Sequence, residues 1–182
     1  MPNWCNNTAE IYHTDPAMLE RVREAFNKGE LLQEFIPVPQ ELKDAVSPNR
    51  SAEGAEMIEK YGYADWYAFC VNEWGTKWDI GADGQPAQDI EGGLILSFDS
   101  AWAPPIGAYE KLTAMGFSIR ATYFEPGMCF AGIWENGNDD FYEYGGMSSD
   151  EVRDALPVEL DDAYGISDGV AECESEYENN QD

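Results

Sequence analysis

Carboxylates dominate this chain: 36 Asp and Glu stand against 10 Lys and Arg, for a formal net charge of −26. Charged groups of that number cannot be buried unpaired, so most must lie on the surface of whatever fold forms. The core has to come from the remainder, and the remainder suffices. Of 182 residues, 43% are hydrophobic and 13% aromatic, enough for one core and too much for wholesale disorder. A folded chain of this length exposes roughly 8,800 Å², so one net negative charge falls on about every 340 Å². Nucleic-acid binding needs Lys and Arg to neutralise phosphates, and this surface repels a polyanion. It repels an anionic membrane for the same reason. The expected partners are basic proteins, cations, or neutral ligands in a local pocket. The plain alternative is that acidity only keeps the protein in solution.

The apolar pattern predicts an α+β fold. Thr8 to His13 alternates as a strand. Asp15 and Pro16 open a helix that carries Leu19, Val22 and Phe26 and closes at Gly29. Phe35 to Pro39 is extended, because its two prolines keep it out of a central strand. Two short helices follow, from about Ser51 to Tyr61 and from near Asp65 to Gly75. Thr76 to Ile80 and Gly93 to Asp99 read as strands. Pro104-Pro105 opens a helix bearing Ile106, Tyr109 and Leu112, with Gly116 as its C-cap. Phe117 to Phe124 and Met128 to Trp134 form a hairpin about Glu125-Pro126-Gly127, and Phe141 to Tyr144 adds an edge strand. This order is that of a ferredoxin-like sandwich over residues 1–145, an antiparallel sheet with helices on one face. A helical insertion at about 40–75 follows the first helix. Residues 146–182 are an acidic C-terminal helix and tail: Ser148 to Glu151 is a capping box, and the chain from about Gly169 is expected to be disordered or loosely docked.

Several chemistries are poorly served. Cys5, Cys70, Cys129 and Cys173 are far apart with no CxxC pair, so neither zinc nor an iron–sulfur cluster is expected, and no cofactor is. His13 is the single histidine. On one extended segment, Cys5 and His13 lie about 26 Å apart; a Cys70 or Cys129 nucleophile using His13 stays open in three dimensions, beside the ordinary reading of His13 as a strand residue. No phosphate-binding glycine loop occurs. Asp79 to Gly84 lacks the acids of a calcium loop and reads as a turn, and Asn136 to Asp140 fails in the same way. Glu73, Asp79, Asp99 and Glu125 sit near aromatic residues, a neighbourhood that raises carboxylate pKa values, but in so acidic a chain that proximity is expected by chance. The first residues lack the basic and apolar regions of a signal peptide, and no apolar run reaches membrane-spanning length, so a cytoplasmic setting with free thiols is expected.

Four segments taken together carry a resemblance: Met1-Pro2-Asn3-Trp4-Cys5-Asn6-Asn7, Trp74-Gly75-Thr76-Lys77-Trp78-Asp79, Phe98-Asp99-Ser100-Ala101-Trp102-Ala103-Pro104-Pro105, and Tyr123 to Gly132. In this order and spacing the chain resembles the YubB-type ferredoxin-like family of bacterial plasmids, phages and integrated elements, over about residues 1–145. The resemblance implies the fold and a mobile-element setting in a bacterial host cell. It implies no activity and no catalytic residues.

Two site readings follow. From Asp139 to Asp182 there are 15 acids and one base, Arg153. The surplus of fourteen charges matches about 24 Å of duplex DNA. A non-enzymatic protein could use Asp139, Asp140, Glu143, Asp150, Glu151, Asp154, Glu159, Asp161 and Asp162 to occupy the basic groove of a host nucleic-acid-binding protein, such as a restriction or CRISPR complex. Phe141, Tyr142, Tyr144, Tyr164 and Tyr177 would add apolar anchoring. The alternative is a pocket for a small planar or anionic ligand lined by Trp4, Asn6, Trp74, Lys77, Trp78, Trp102 and Glu125, against the reading that these residues are core and corner.

Overall fold

The computed structural model describes residues 3–179. Strand β1 (Trp4–Tyr12) leads into helix α1 (Pro16–Lys28). The Asp15 carboxylate accepts the Ala17 N–H, Pro16 occupies the first turn, and Gly29 ends the helix at φ 76. Four helices then cross to the next strands: α2 (Leu31–Phe35), α3 (Gln40–Asp44), α4 (Ala52–Tyr61) and α5 (Trp66–Glu73). Strands β2 (Gln88–Ile90) and β3 (Gly93–Ala101), helix α6 (Ile106–Ala114), then β4 (Ser118–Glu125), β5 (Phe130–Glu135) and β6 (Asn138–Glu143) follow. The chain continues through α7 (Ser149–Ala155), α8 (Val158–Tyr164) and α9 (Ile166–Asn179).

Among the described residues the strands form one six-stranded sheet of order β2-β3-β1-β4-β5-β6, antiparallel at every pairing. Alternation sends Ala9, Ile11, Leu94, Leu96, Phe98, Ile119, Ala121 and Trp134 into one core with α1, α6 and the intervening helices. Burial of each large apolar side chain there contributes about 1.5–3 kcal/mol. The opposite side of β4-β5-β6 packs a second, smaller core in which Ala131 and Tyr144 meet Val152, Leu156, Leu160 and Ile166.

Several expectations are overturned. Thr76 to Ile80 is not a strand. It is a loop tied down by side chains: Thr76 Oγ1 donates to the Ala101 carbonyl at 3.0 Å, and the Asp79 carboxylate accepts the N–H groups of Leu32, Gln33 and Ile80. The buried ends of that loop, Thr76 and Ile80, imitate a strand pattern without ladder partners. Residues 31–35 are helical because Asp79 caps them from across the chain. Helix α6 ends at Ala114 and is capped by Met115, one residue before Gly116. Helices lie on both faces of the sheet, not one. The segment from Gly169 to Asn179 is helical, because Ile166 and Val170 reach the second core; only residues 180–182 of that call lie outside the described residues. No helix of the described residues is long and apolar enough to cross a membrane.

Candidate functional site

The first candidate site lies where β1, the end of β3, α5 and the 74–80 loop meet. Lys77 is its centre. The Nζ atom stands 4.7 Å from the Trp78 ring, 5.1 Å from Trp102 and 5.8 Å from Tyr67. Trp4 extends the cluster, 5.8 Å from Trp78. All four rings remain substantially exposed. Lys77 makes no ion pair among the described residues, although seven of the ten basic side chains do. An ammonium set against several aromatic faces is held by the ring quadrupoles.

Trp102 is held there at a cost. Its φ is 70°, in left-handed backbone where bulky residues are outliers. Such a conformation costs of order 1–3 kcal/mol. Neighbouring bonds impose it: Trp102 N–H donates to the Asn3 carbonyl at 2.9 Å, and Ser100 Oγ donates to the Ala103 carbonyl at 2.7 Å. Core packing does not require an exposed indole at that point.

The expected pocket residues divide four ways. Trp4, Lys77, Trp78 and Trp102 do come together, with Tyr67, which sequence reasoning passed over; its position on the solvent side of α5, beside the buried Phe69 and Cys70, was the available signal. Trp74 is core instead. It is 4% exposed, and its indole N–H donates to the Ile36 carbonyl. One edge of it closes a cavity of about 380 Å³ that also takes in Lys43, Trp66, Cys70, Lys77 and Trp78. Burial pushes the Cys70 thiol up to about 12, so it is no nucleophile at neutral pH. Asn6 lies in a separate cleft, lined also by Tyr164, where its amide donates to Asp99. Glu125 is 1% exposed and serves the β4–β5 turn, accepting the Gly127 and Met128 N–H groups. His13 packs on Phe117, and its Nδ1 accepts the Asp15 N–H at 2.9 Å. No group of three or more His, Cys, Asp or Glu among the described residues is placed to hold a metal ion.

The second candidate site is the acidic surface. Helices α7, α8 and α9 form a layer over β4-β5-β6, fixed by the second core. Ser148 and Glu151 cap each other across the first turn of α7. Ser149 bonds to Glu174 and so joins α7 to α9. The nine expected residues are therefore all ordered, and all are exposed except the partly covered Asp161. They are not equally free. Asp139 accepts the Tyr123 hydroxyl, Asp140 accepts the Asn138 amide, and Glu159 pairs with Arg120 at 2.6 Å. Asp161 caps Ser167, and Asp150 meets Arg153. Glu143, Asp154 and Asp162 make no hydrogen bond or ion pair with the described residues. Asp168, Glu172 and Glu174 of α9 add to the same surface.

No family model matches the chain, and no curated protein does. Among solved structures, the crystal structure of a protein api92 from Yersinia pseudotuberculosis (family-model DUF1281) is similar at TM-score 0.43 and 13% identity, over 80% of this chain and 99% of that one. A likeness of that degree carries no argument about what this chain binds.

Proposed function

We propose that the protein is non-enzymatic and binds a basic, nucleic-acid-binding host protein through the surface formed by β6 and α7–α9, in the manner of a nucleic-acid mimic. The observation that carries this reading is the order of the acidic segment. Carboxylates on three docked helices present a fixed charge pattern, whereas a tail would present a diffuse one. Electrostatic attraction would speed association, and salt would weaken it. Exposed Val158 and Tyr177 supply apolar contact among the charges of the helices. The setting proposed is the cytoplasm of a bacterium carrying a phage or plasmid, with a defence complex as target, on the resemblance described for residues 1–145. The strand order β2-β3-β1-β4, with helical crossovers between β1 and β2 and between β3 and β4, supports grouping the fold as ferredoxin-like.

The test is capture from bacterial lysate at low and high salt. Wild-type protein should retain nucleic-acid-binding proteins that added duplex DNA displaces. A variant with Asp154, Asp162 and Glu172 each changed to Lys should lose them while keeping its circular dichroism. Equal capture by both proteins, or capture indifferent to DNA, ends the reading.

A second reading has its own support in the strained Trp102 and the unpaired Lys77: a site for a planar anion, stacked on indole and neutralised by the ammonium. Titration with 2-naphthalenesulfonate should quench tryptophan fluorescence saturably, and Lys77→Gln should weaken the response about tenfold, as loss of a charge-assisted contact does. No quenching, or quenching equal in the variant, removes this reading.

A further inference from the structure

The outer edge of the sheet, β6, has unsatisfied backbone groups beside an apolar groove. The turn from β5 is Asn136-Gly137, both residues in left-handed backbone at φ 45° and 101°, which is the two-residue hairpin of type I′. Glu135 therefore faces Asn138 in a hydrogen-bonded pair, and bonded and non-bonded pairs alternate from there. Asn138, Asp140 and Tyr142 turn their N–H and C=O groups toward β5. Asp139, Phe141 and Glu143 turn theirs outward. Tyr144 N–H, donating to the Cys129 carbonyl at 2.9 Å, continues the same alternation. Among the described residues β5 is the sole neighbour of β6 in the sheet, and no turn or loop bond reaches those three outward positions.

The side chains of the same three residues share one face, because they pair with Trp134, Gly132 and Phe130. That face carries a groove of about 270 Å³ between Pro104, Ile106, Tyr123, Phe130 and Phe141. Gly132 keeps it open: a Cβ there would stand 2.2 Å from the Tyr123 hydroxyl oxygen. Phe141 lies against Phe130 at 5.3 Å and is still 49% exposed. Asp139 and Glu143 stand on either side of Phe141 along the strand.

We infer that β6 is a strand-addition site for an extended basic segment of the partner, with a basic residue opposite Asp139, an apolar one opposite Phe141 and a basic one opposite Glu143. This inference rests on the acidic-surface reading and gives it a mode of contact. Main-chain bonds to three outward positions supply affinity, and alternate side chains supply selectivity. The segment runs antiparallel to β6, so that the residues opposite Asp139, Phe141 and Glu143 form bonded pairs with them. A second copy of β6 is a poor occupant. Antiparallel pairing about Phe141 would set Asp139 against Glu143 twice, and like charges directly opposite destabilise a pair. Carboxylates thus close the edge to its own kind and leave it complementary to a cationic strand.

The experiment uses the full chain and the synthetic peptide Gly-Lys-Thr-Ile-Thr-Lys-Gly, followed by amide NMR shifts. Saturable shifts are expected at Asp139, Phe141 and Glu143. N-methylation of the peptide at Ile, whose amide faces β6, should weaken binding about tenfold or more by removing a main-chain bond. N-methylation at either Thr, which faces away, should leave it unchanged. Phe141→Pro, which removes an outward N–H at an edge position that tolerates proline, should also abolish binding. Equal loss, equal retention or the reverse order for the two kinds of methylated peptide overturns antiparallel strand addition, as do shifts confined to α7–α9, self-association through β6, or no binding. If the triple reversal on α7–α9 still abolishes capture from lysate in any of those cases, the acidic-surface reading stands without this mode.

Discussion

At the scale of single residues, tryptophan serves opposite purposes at two positions of this chain. Trp74 fills the core and satisfies its indole N–H on Ile36, so its removal should leave both a cavity and an orphan carbonyl. Trp102 is exposed and strained. Trp74→Ala is expected to lose about 3–5 kcal/mol of stability, the usual range for truncating a buried Trp. Trp102→Gly should change stability by no more than about 1 kcal/mol, because relief of a left-handed conformation worth 1–3 kcal/mol offsets the lost ring contacts. Urea unfolding of the two variants decides it. A loss at Trp102 as large as at Trp74 would make that indole a structural residue and remove the support it lends to a ligand site. The sequence placed both tryptophans in one pocket because residue type and proximity in the chain do not report side-chain direction. Direction here follows from the 74–80 loop, whose path depends on Asp79 reaching α2.

At the scale of elements, what was legible had local chemistry to announce it. The start of α1 was readable from Asp15-Pro16, that of α7 from its capping box, and the ends of α1 and α4 from Gly29 and Gly62. Helix α9 had no such signal. Its sequence is mostly acids and small residues, and it is helical because Ile166 and Val170 meet a surface built by distant strands. Tertiary packing outweighs propensity in short helices. The Asn136-Gly137 turn was a readable hairpin signal that a search for calcium ligands passed over. These two cases set the position of the acidic layer and of the open edge, which is why the candidate surface was named by residue and not by shape. The second core predicts that the layer can loosen by itself. Leu160→Asp places a charge among Ala131, Val152 and Ile166 and should cost about 3 kcal/mol or more there. Amide hydrogen exchange should accelerate across α7–α9 while β1, β3 and β4, which belong to the other core, stay protected. Uniform acceleration would show instead that the two cores unfold as one.

At the scale of the whole molecule, two effects of acidity on stability oppose each other, and salt separates them. The net charge of −26 repels itself in the compact state. Raising ionic strength from about 0.01 M to about 1 M shortens the Debye length from about 30 Å to about 3 Å, so thermal stability at pH 7 should rise with salt. Specific carboxylates act the other way with pH. The Tyr63 hydroxyl and the Lys111 ammonium hold Glu73 below the ordinary range, and backbone donors at Ala68 and Asn49 do the same for Asp65. A group depressed on folding contributes stability that is fully present above its unfolded value, about 4.3 for Glu and 3.9 for Asp, and that is lost as pH falls through the folded value. Asp79, raised by burial, contributes with the reverse sign. At high salt the repulsion is screened, so lowering the pH below about 4.3 should destabilise the protein, and Glu73→Gln should flatten that dependence. At low salt, protonation also discharges the surface, and the fall should be shallower or absent. Denaturation across pH at both salt concentrations reads all four arms. A steeper acid loss at low salt than at high salt would mean that the carboxylates sit in compensated pairs with little mutual repulsion, and a surface of that kind could not attract a basic partner at a distance.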